Sequence, residues 1–173
     1  MTCYEKIAVF DLDGTLWKYN SHIEILNSFY KTKFFTSVCY KALNKLFKKR
    51  LYSFICTAYE RIPKEYVLDF NLPFDEEKVA LLQKKKQEGF FVLIVSNAPY
   101  EICKNAAKRL DVEFIKAPIA GKLQSLTKTY SYDELFVCTD NIEDLDLIEA
   151  ATEREIVFTK HNRLFFEKRG IYA

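Results

Sequence analysis

Five short apolar segments recur along the chain, and each is followed by polar residues. Residues 6–10, 90–95 and 135–138 are largely apolar, whereas residues 113–116 and 155–159 are more mixed and predict weaker strands. Segments that are apolar on both faces are typical of strands buried inside a parallel sheet. We therefore predict five strands, each ending at a polar loop.

Helical patterns lie between the later strands. They cover residues 75–88, 100–110, 121–130 and 142–151. Because alternating strands and helices favour right-handed crossovers, we predict an α/β fold. Its centre would be a Rossmann-like parallel sheet of about five strands with helices on both faces, and its ligands would bind beyond the carboxyl ends of the strands.

Residues 18–74 interrupt this alternation, since their pattern contains no convincing buried strand. It predicts three helices instead, at residues 22–30, 36–50 and 51–61. We interpret the segment as a small helical cap, inserted where it would cover the ends of the strands. The remaining residues, 1–17 and 75–173, would then form the α/β core.

The predicted cap is basic and aromatic. Residues 18–74 hold ten Lys and Arg against four Asp and Glu, and thirteen of the 27 aromatic residues. A cap helix with solvated lysines explains this composition. A peripheral membrane surface or a lipid-linked substrate is the alternative, and nucleic acid is disfavoured. The sequence does not define an oligomeric state.

The rest of the composition excludes several classes of protein. The chain begins without a basic and apolar leader, and it has no apolar run of the roughly 20 residues that a membrane-spanning helix needs. Its five cysteines are scattered and never form a Cys-x-x-Cys pair, so neither a disulfide framework nor a zinc site is indicated. We predict a soluble, cytoplasmic protein.

Two carboxylates directly follow the first predicted strand. Asp11 and Asp13 stand two residues apart in Asp11-Leu12-Asp13-Gly14-Thr15, where one could attack phosphorus and the other could protonate the leaving oxygen. A carboxylate that attacks a phosphate ester meets a like charge, so a hard cation such as Mg²⁺ is expected. Asp140, which follows another strand, is the best further oxygen ligand, and Asp144 would support it from one helical turn away.

Groups that would bind the phosphate follow the other predicted strands. Ser96 offers a hydroxyl and Asn97 a backbone N–H, both at the end of the second strand. Lys122, at the start of a predicted helix, offers a positive charge that would neutralise both the phosphate and Asp11. Together these residues predict a site for a small phosphorylated substrate.

These motifs resemble those of the haloacid dehalogenase-like hydrolase superfamily, in order and over nearly the whole chain. The likeness extends to phosphoserine-phosphatase-like members that carry a helical cap after the first motif. It implies that Asp11 is the nucleophile, that Asp13 is the general acid and base, and that Mg²⁺ is bound by Asp11, Asp140 and the backbone carbonyl of Asp13. One departure is Cys138-Thr139 before Asp140, where the family often has Gly.

The carboxylate of Asp13 distinguishes between activities of this superfamily, because members that dehalogenate have no leaving group to protonate and lack it. We therefore predict a Mg²⁺-dependent phosphatase that forms a phosphoryl-aspartate on Asp11. A phosphomutase that uses the same intermediate is an alternative. Another is a non-catalytic protein that binds anions or a lipid surface through the basic cap.

Overall fold

Five parallel strands form the centre of the molecule. The computed structural model describes residues 2–118 and 120–172. Its strands are β1 (Thr2–Phe10), β2 (Phe91–Ser96), β3 (Glu113–Lys116), β4 (Tyr130–Thr139) and β5 (Glu153–Ile156). They lie in the order β3-β2-β1-β4-β5, and every neighbouring pair is parallel. The predicted five-stranded α/β sheet is confirmed.

The register brings the ends of the central strands to one level. Phe10, the last residue of β1, pairs with Ile94 of β2 on one side and with Cys138 of β4 on the other. The residues that follow these three strands therefore leave the sheet side by side. This places the polar segments after residues 10, 96 and 139 at a single edge.

Helices cover both faces of the sheet, as predicted. They are α1 (Ser21–Phe29), α2 (Val38–Glu60), α3 (Lys64–Asp69), α4 (Glu76–Gln87), α5 (Tyr100–Leu110), α6 (Lys122–Thr129), α7 (Leu145–Ala150) and α8 (Arg163–Glu167). Alternate residues of β1 enter two separate hydrophobic clusters, because side chains of a strand point to opposite faces. Phe10 packs in the cluster that contains Ile102 of α5, and Val9 packs in the cluster that contains Phe166 of α8.

The described part of residues 18–74 contains helices and no strand. Leu26, Phe35 and Val67 from this segment share one hydrophobic cluster with Phe10 of the sheet. The end of the segment is tied to α5, since Asn105 Nδ2 donates to the backbone oxygens of Leu68 and Phe70 at 3.0 and 3.1 Å. Its assignment as a cap stays a prediction. No described helix is both long and apolar enough to cross a bilayer.

Several elements differ from the sequence prediction, and β1 and β4 begin earlier than the predicted 6–10 and 135–138. Strand β5 begins and ends earlier than the predicted 155–159, because the side chain of Asn162 binds the Val157 oxygen and the Thr159 N–H and so holds the residues after Ile156 in a loop. The two helices predicted over 36–61 are one element, α2, interrupted by non-helical backbone at Phe47. The short helices α3 and α8 were not predicted.

Candidate active site

All of the predicted site residues line one cavity of about 460 Å³ at the carboxyl edge of the sheet. They are Asp11, Asp13, Ser96, Asn97, Lys122, Asp140 and Asp144. The structure thus brings together residues that are up to 133 positions apart in the sequence, from Asp11 to Asp144. Their chemical roles stay predictions.

Asp11 is fixed at the first position after β1. Its backbone N–H donates to the Cys138 carbonyl at 2.9 Å, which extends the pairing of β1 with β4 by one residue. Its Oδ1 accepts a hydrogen bond from the Leu12 N–H at 2.7 Å. The side chain is almost wholly buried, so its carboxylate has one defined orientation.

Lys122 connects two of the carboxylates. This lysine is buried at the start of α6, and its Nζ lies 2.8 Å from Asp11 Oδ2 and 2.7 Å from Asp144 Oδ2. Burial tends to lower the pKa of Lys122, but the charges of Asp11 and Asp144 outweigh it, so the net pKa is raised. Lys122 is therefore a permanent cation beside Asp11.

Thr139, the residue that departs from the family pattern, helps to fix this arrangement. Its buried hydroxyl donates to Asp144 Oδ2 at 2.7 Å and accepts from the Asn141 N–H at 3.1 Å. A glycine has no hydroxyl with which to make these bonds. Thr139 therefore positions Asp144 against Lys122 and also orders the turn after Asp140.

Asp13 is held by the first residue of α1, and among the described residues its carboxylate forms no ion pair with Lys122. The backbone N–H and the hydroxyl of Ser21 donate to its two carboxylate oxygens, each at 2.9 Å. Burial raises the pKa of Asp13 to about 7, and the negative charge of Asp11 adds to the rise, while the hydrogen bonds from Ser21 oppose it. Asp13 can thus carry or release a proton near neutral pH, unlike an ordinary aspartate.

The raised pKa of Asp13 predicts a pH-dependent stability of the metal-free protein. The folded state binds this proton more tightly than the unfolded state, so the stability it contributes is complete below the ordinary pKa near 4 and is lost as pH rises through about 7. The Asp13→Asn variant removes the titrating group and keeps one oxygen that accepts from the Ser21 N–H. In the presence of a chelator, the melting temperature of the variant minus that of the wild type should increase by several degrees from pH 5 to pH 8. A difference that does not change with pH would contradict the raised pKa.

Asp140 completes the acidic edge. Its backbone N–H donates to Thr15 Oγ1 at 3.1 Å, and the same hydroxyl lies 3.4 Å from Asp140 Oδ1. Burial, and after it the negative charge of Asp11, raise the pKa of Asp140 to about 6. The carboxylates of Asp11 and Asp140 therefore repel each other at the edge of a polar cavity. Their oxygens are hard ligands of the kind that Mg²⁺ prefers.

Gly14 lets the Asp140 carboxylate approach the first loop closely. Gly14 has a φ of +78°, and a Cβ built there would collide with the carboxylate of Asp140. Gly89 has a similar φ of +85° but has no atom within 4 Å of such a Cβ. A glycine is therefore favoured at position 14 both by the positive φ and by the lack of space for a Cβ, whereas at position 89 only the positive φ favours it.

We expect Gly14→Ala to destabilise the protein more than Gly89→Ala. Both changes impose the strain of a positive φ, about 1 kcal/mol, and only the first adds a clash, which typically costs about 1–3 kcal/mol. Chemical denaturation of the two variants measures the difference. Equal losses of unfolding free energy in the two variants would show that Gly14 and the Asp140 carboxylate are less closely packed.

The loop after β2 supplies the remaining predicted residues. Ser96 Oγ accepts from the Ala98 N–H at 3.3 Å, which leaves its own hydroxyl hydrogen free to point elsewhere. Asn97 is exposed, and its backbone oxygen and Oδ1 accept from Lys116 Nζ at 2.6 and 3.1 Å. Lys116, for which we predicted no role, thus holds this loop in place.

Other residues of the cavity were not anticipated as part of the site. Asn20 and His22 enter it from the start of α1, and a polar loop after β5 contributes Thr159, His161 and Asn162. The buried Asn162 donates from Nδ2 to the Asp140 backbone oxygen at 2.6 Å and accepts the Thr159 N–H at 2.7 Å. The polar run after the fifth strand was a usable signal, but the strand was predicted to extend to residue 159.

Solved structures share this fold. A protein of unknown function from Bordetella pertussis Tohama I superposes with a TM-score of 0.70 at 15% identity, covering 98% of this chain and 97% of that one. A phosphoserine phosphohydrolase-like protein from Francisella tularensis gives 0.62 at 20% identity, covering 86% and 85%. A phosphoserine phosphatase from T. onnurineus gives 0.55 at 16% identity, covering 88% and 86%.

Sequence comparison gives a family. No curated protein matches the chain by sequence, but the model of the haloacid dehalogenase-like hydrolase family matches residues 8–149. This range contains every residue of the predicted site and confirms the resemblance and the prediction of a hydrolase. Because the match spans most of its length, the chain belongs to the haloacid dehalogenase-like hydrolase family.

Proposed function

We propose that the chain is a phosphatase that hydrolyses a small phosphate monoester through a phosphoryl-aspartate on Asp11. One observation carries the proposal. Asp11 is paired with the buried cation of Lys122 at 2.8 Å, while Asp13 is held separately by Ser21 with a pKa of about 7. Two aspartates two residues apart thus have different surroundings: Asp11 faces a buried cation, as suits a nucleophile, and Asp13 has a pKa that suits a general acid.

The first step transfers the phosphoryl group to the protein. A carboxylate oxygen of Asp11 attacks phosphorus, and the bond between phosphorus and the alcohol oxygen breaks. The protonated Asp13 gives its proton to that oxygen, so the alcohol leaves in neutral form. Lys122 offsets the added negative charge at Asp11 without a change in its own protonation.

The second step releases phosphate. Asp13, now a carboxylate, takes a proton from a water molecule whose oxygen attacks phosphorus, and the acyl phosphate bond to Asp11 breaks. Inorganic phosphate leaves, Asp11 is a carboxylate again, and Asp13 is protonated for the next cycle. The Ser96 hydroxyl and the Asn97 N–H are the proposed donors to the phosphate oxygens.

Magnesium is the proposed cofactor, as is general in this family. Its ligands would be carboxylate oxygens of Asp11 and Asp140 and the backbone oxygen of Asp13, because Ser21 occupies both side-chain oxygens of Asp13. Within residues 2–118 and 120–172, no three His, Cys, Asp or Glu side chains form a ligand cluster. A mixed set of carboxylates, a carbonyl and water fits Mg²⁺. When bound, the ion would reduce the repulsion between the phosphate and the carboxylates.

The structural neighbours support phosphate ester hydrolysis. Some of them carry the names phosphoserine phosphatase and phosphoserine phosphohydrolase-like protein, and another is a phospho-aspartyl intermediate analogue of a phosphoserine phosphatase. These names describe those proteins. A cavity of about 460 Å³ in this chain is suited to a small phosphorylated molecule.

Hydrolysis of p-nitrophenyl phosphate with added Mg²⁺ or with a chelator tests the proposal. We expect release of inorganic phosphate that depends on Mg²⁺ and is restored when the ion is returned. A panel of sugar, amino-acid and nucleoside monophosphates then locates the preferred alcohol. A protein that is inert towards the whole panel would contradict the proposed function.

The same panel separates hydrolysis from the mutase reaction. A phosphatase releases one phosphate for each alcohol formed, whereas a mutase moves the group between hydroxyls of one sugar and releases little phosphate. Phosphate analysis combined with NMR of the sugar phosphates measures both products. Isomerisation without phosphate release would favour the mutase.

A further inference from the structure

Exposed apolar side chains are concentrated in one helix that the proposed chemistry does not use. Of the twelve large apolar residues that are exposed in the described chain, five lie in α2. Leu46, Phe47 and Phe54 are 73%, 50% and 53% exposed. Single exposed apolar residues are ordinary on protein surfaces, but a local concentration marks a contact surface.

Part of this surface is a shallow groove, here called the α2 groove. It has a volume of about 330 Å³, and its lining residues are Leu43, Phe47, Arg50, Leu51 and Phe54. They lie before, at and after the non-helical residue Phe47, so both parts of α2 contribute to the groove, and four of the five residues are apolar. The groove is therefore a continuous apolar stripe that includes one cation.

The groove lies in a strongly basic stretch. Residues 38–54 contain five Lys and Arg and no Asp or Glu. Lys45 and Arg50 are exposed, and neither is paired with a carboxylate of the described residues. Apolar residues beside unpaired lysines and arginines are the combination found in helices that lie in the interface of an anionic membrane.

We propose that α2 binds the surface of an anionic lipid bilayer through the α2 groove, with the apolar residues of the groove in the interfacial region and the surrounding cations on the lipid headgroups. Charge complementarity selects this partner. A second copy of the chain would place five cations against five, and a nucleic acid would leave the apolar stripe without a partner. The helix would lie on the membrane and not cross it.

The surface extends away from the catalytic residues. His22, which lines the cavity, packs against Tyr59 at the other end of α2 with ring centroids 4.6 Å apart. At 1.5 Å per residue, Phe47 lies roughly 18 Å along the helix from Tyr59. Docking through the α2 groove would therefore leave the cavity clear of the bilayer while holding it near the membrane surface.

Flotation with vesicles tests the proposal without reference to catalysis. The wild-type chain is mixed with phosphatidylcholine vesicles with and without phosphatidylserine, at low and high salt. We expect binding to the anionic vesicles that high salt weakens. The double variant Leu46→Ala/Phe47→Ala should bind the anionic vesicles about tenfold more weakly than wild type. The double variant Lys45→Glu/Arg50→Glu should bind them more weakly by about tenfold or more.

Matched controls lie on the opposite face of the sheet. Leu164→Ala removes a leucine that is 62% exposed on α8, and Lys128→Glu reverses an exposed charge on α6. Both should bind like wild type. Failure of the wild type to bind anionic vesicles, or equal losses in the controls, would overturn the proposal. So would light scattering that shows a dimer which Leu46→Ala/Phe47→Ala converts to a monomer.

Discussion

The Asp11→Asn variant should lose at least about 1000-fold in kcat, because the amide cannot form the phosphoryl intermediate. Its Oδ1 can still accept from the Leu12 N–H, and Lys122 keeps Asp144 as a partner, so the fold should persist. Steady-state hydrolysis of p-nitrophenyl phosphate in Mg²⁺ measures the loss. Circular dichroism checks that the variant is folded.

A direct readout of the intermediate separates this chemistry from a merely electrostatic role of Asp11. Acid quench followed by intact mass spectrometry should show one added phosphoryl group in the wild type and none in Asp11→Asn. Asp146→Asn is the matched control, since Asp146 is an exposed aspartate outside the lining of the cavity. An Asp11→Asn enzyme with wild-type activity would refute the mechanism.

The Asp13→Asn variant should lose about 100- to 10,000-fold in kcat, and the loss should depend on the leaving group. An alkyl phosphate needs a proton on its departing oxygen, so its transfer to Asp11 should slow most. The p-nitrophenolate ion leaves without a proton, so transfer from its ester should persist. Because Asp13 is also the proposed base for the second step, the phosphoryl-enzyme should then accumulate.

Burst kinetics with the aryl ester and steady-state kinetics with an alkyl ester measure the two effects. Ser21→Ala provides an intermediate case, since it removes the hydroxyl bond to Asp13 and keeps the bond from the backbone N–H. We expect a loss of about tenfold from it. Equal losses for aryl and alkyl esters in Asp13→Asn, without accumulation of the intermediate, would mean that Asp13 is not the acid.

The sequence by itself determined the sheet and the edge at which the site lies. Apolar segments that end at Asp11, Ser96 and Asp140 predicted buried parallel strands, and parallel strands carry their following loops to one edge. The residues of all the predicted motifs accordingly line one cavity. These features were predictable because they depend on local patterns and on a general property of parallel sheets.

Only the tertiary structure decided which groups contact each other within that edge. The pairing of Lys122 with Asp144, the hydrogen bonds from Ser21 to Asp13 and the packing of Gly14 against Asp140 all join residues from separate segments. Side-chain contacts of this kind depend on the relative placement of loops. No periodicity along the chain contains that information.

Residues 18–74 show the same division between what the sequence predicts and what the fold decides. Its basic and aromatic composition was evident from the sequence, but a composition does not say which side chains are buried. The fold directs Leu26, Phe35 and Val67 into the shared core and leaves Leu46 and Phe47 exposed. The difference arises because only the first group faces the sheet and its helices, and that orientation exists only once the chain has folded.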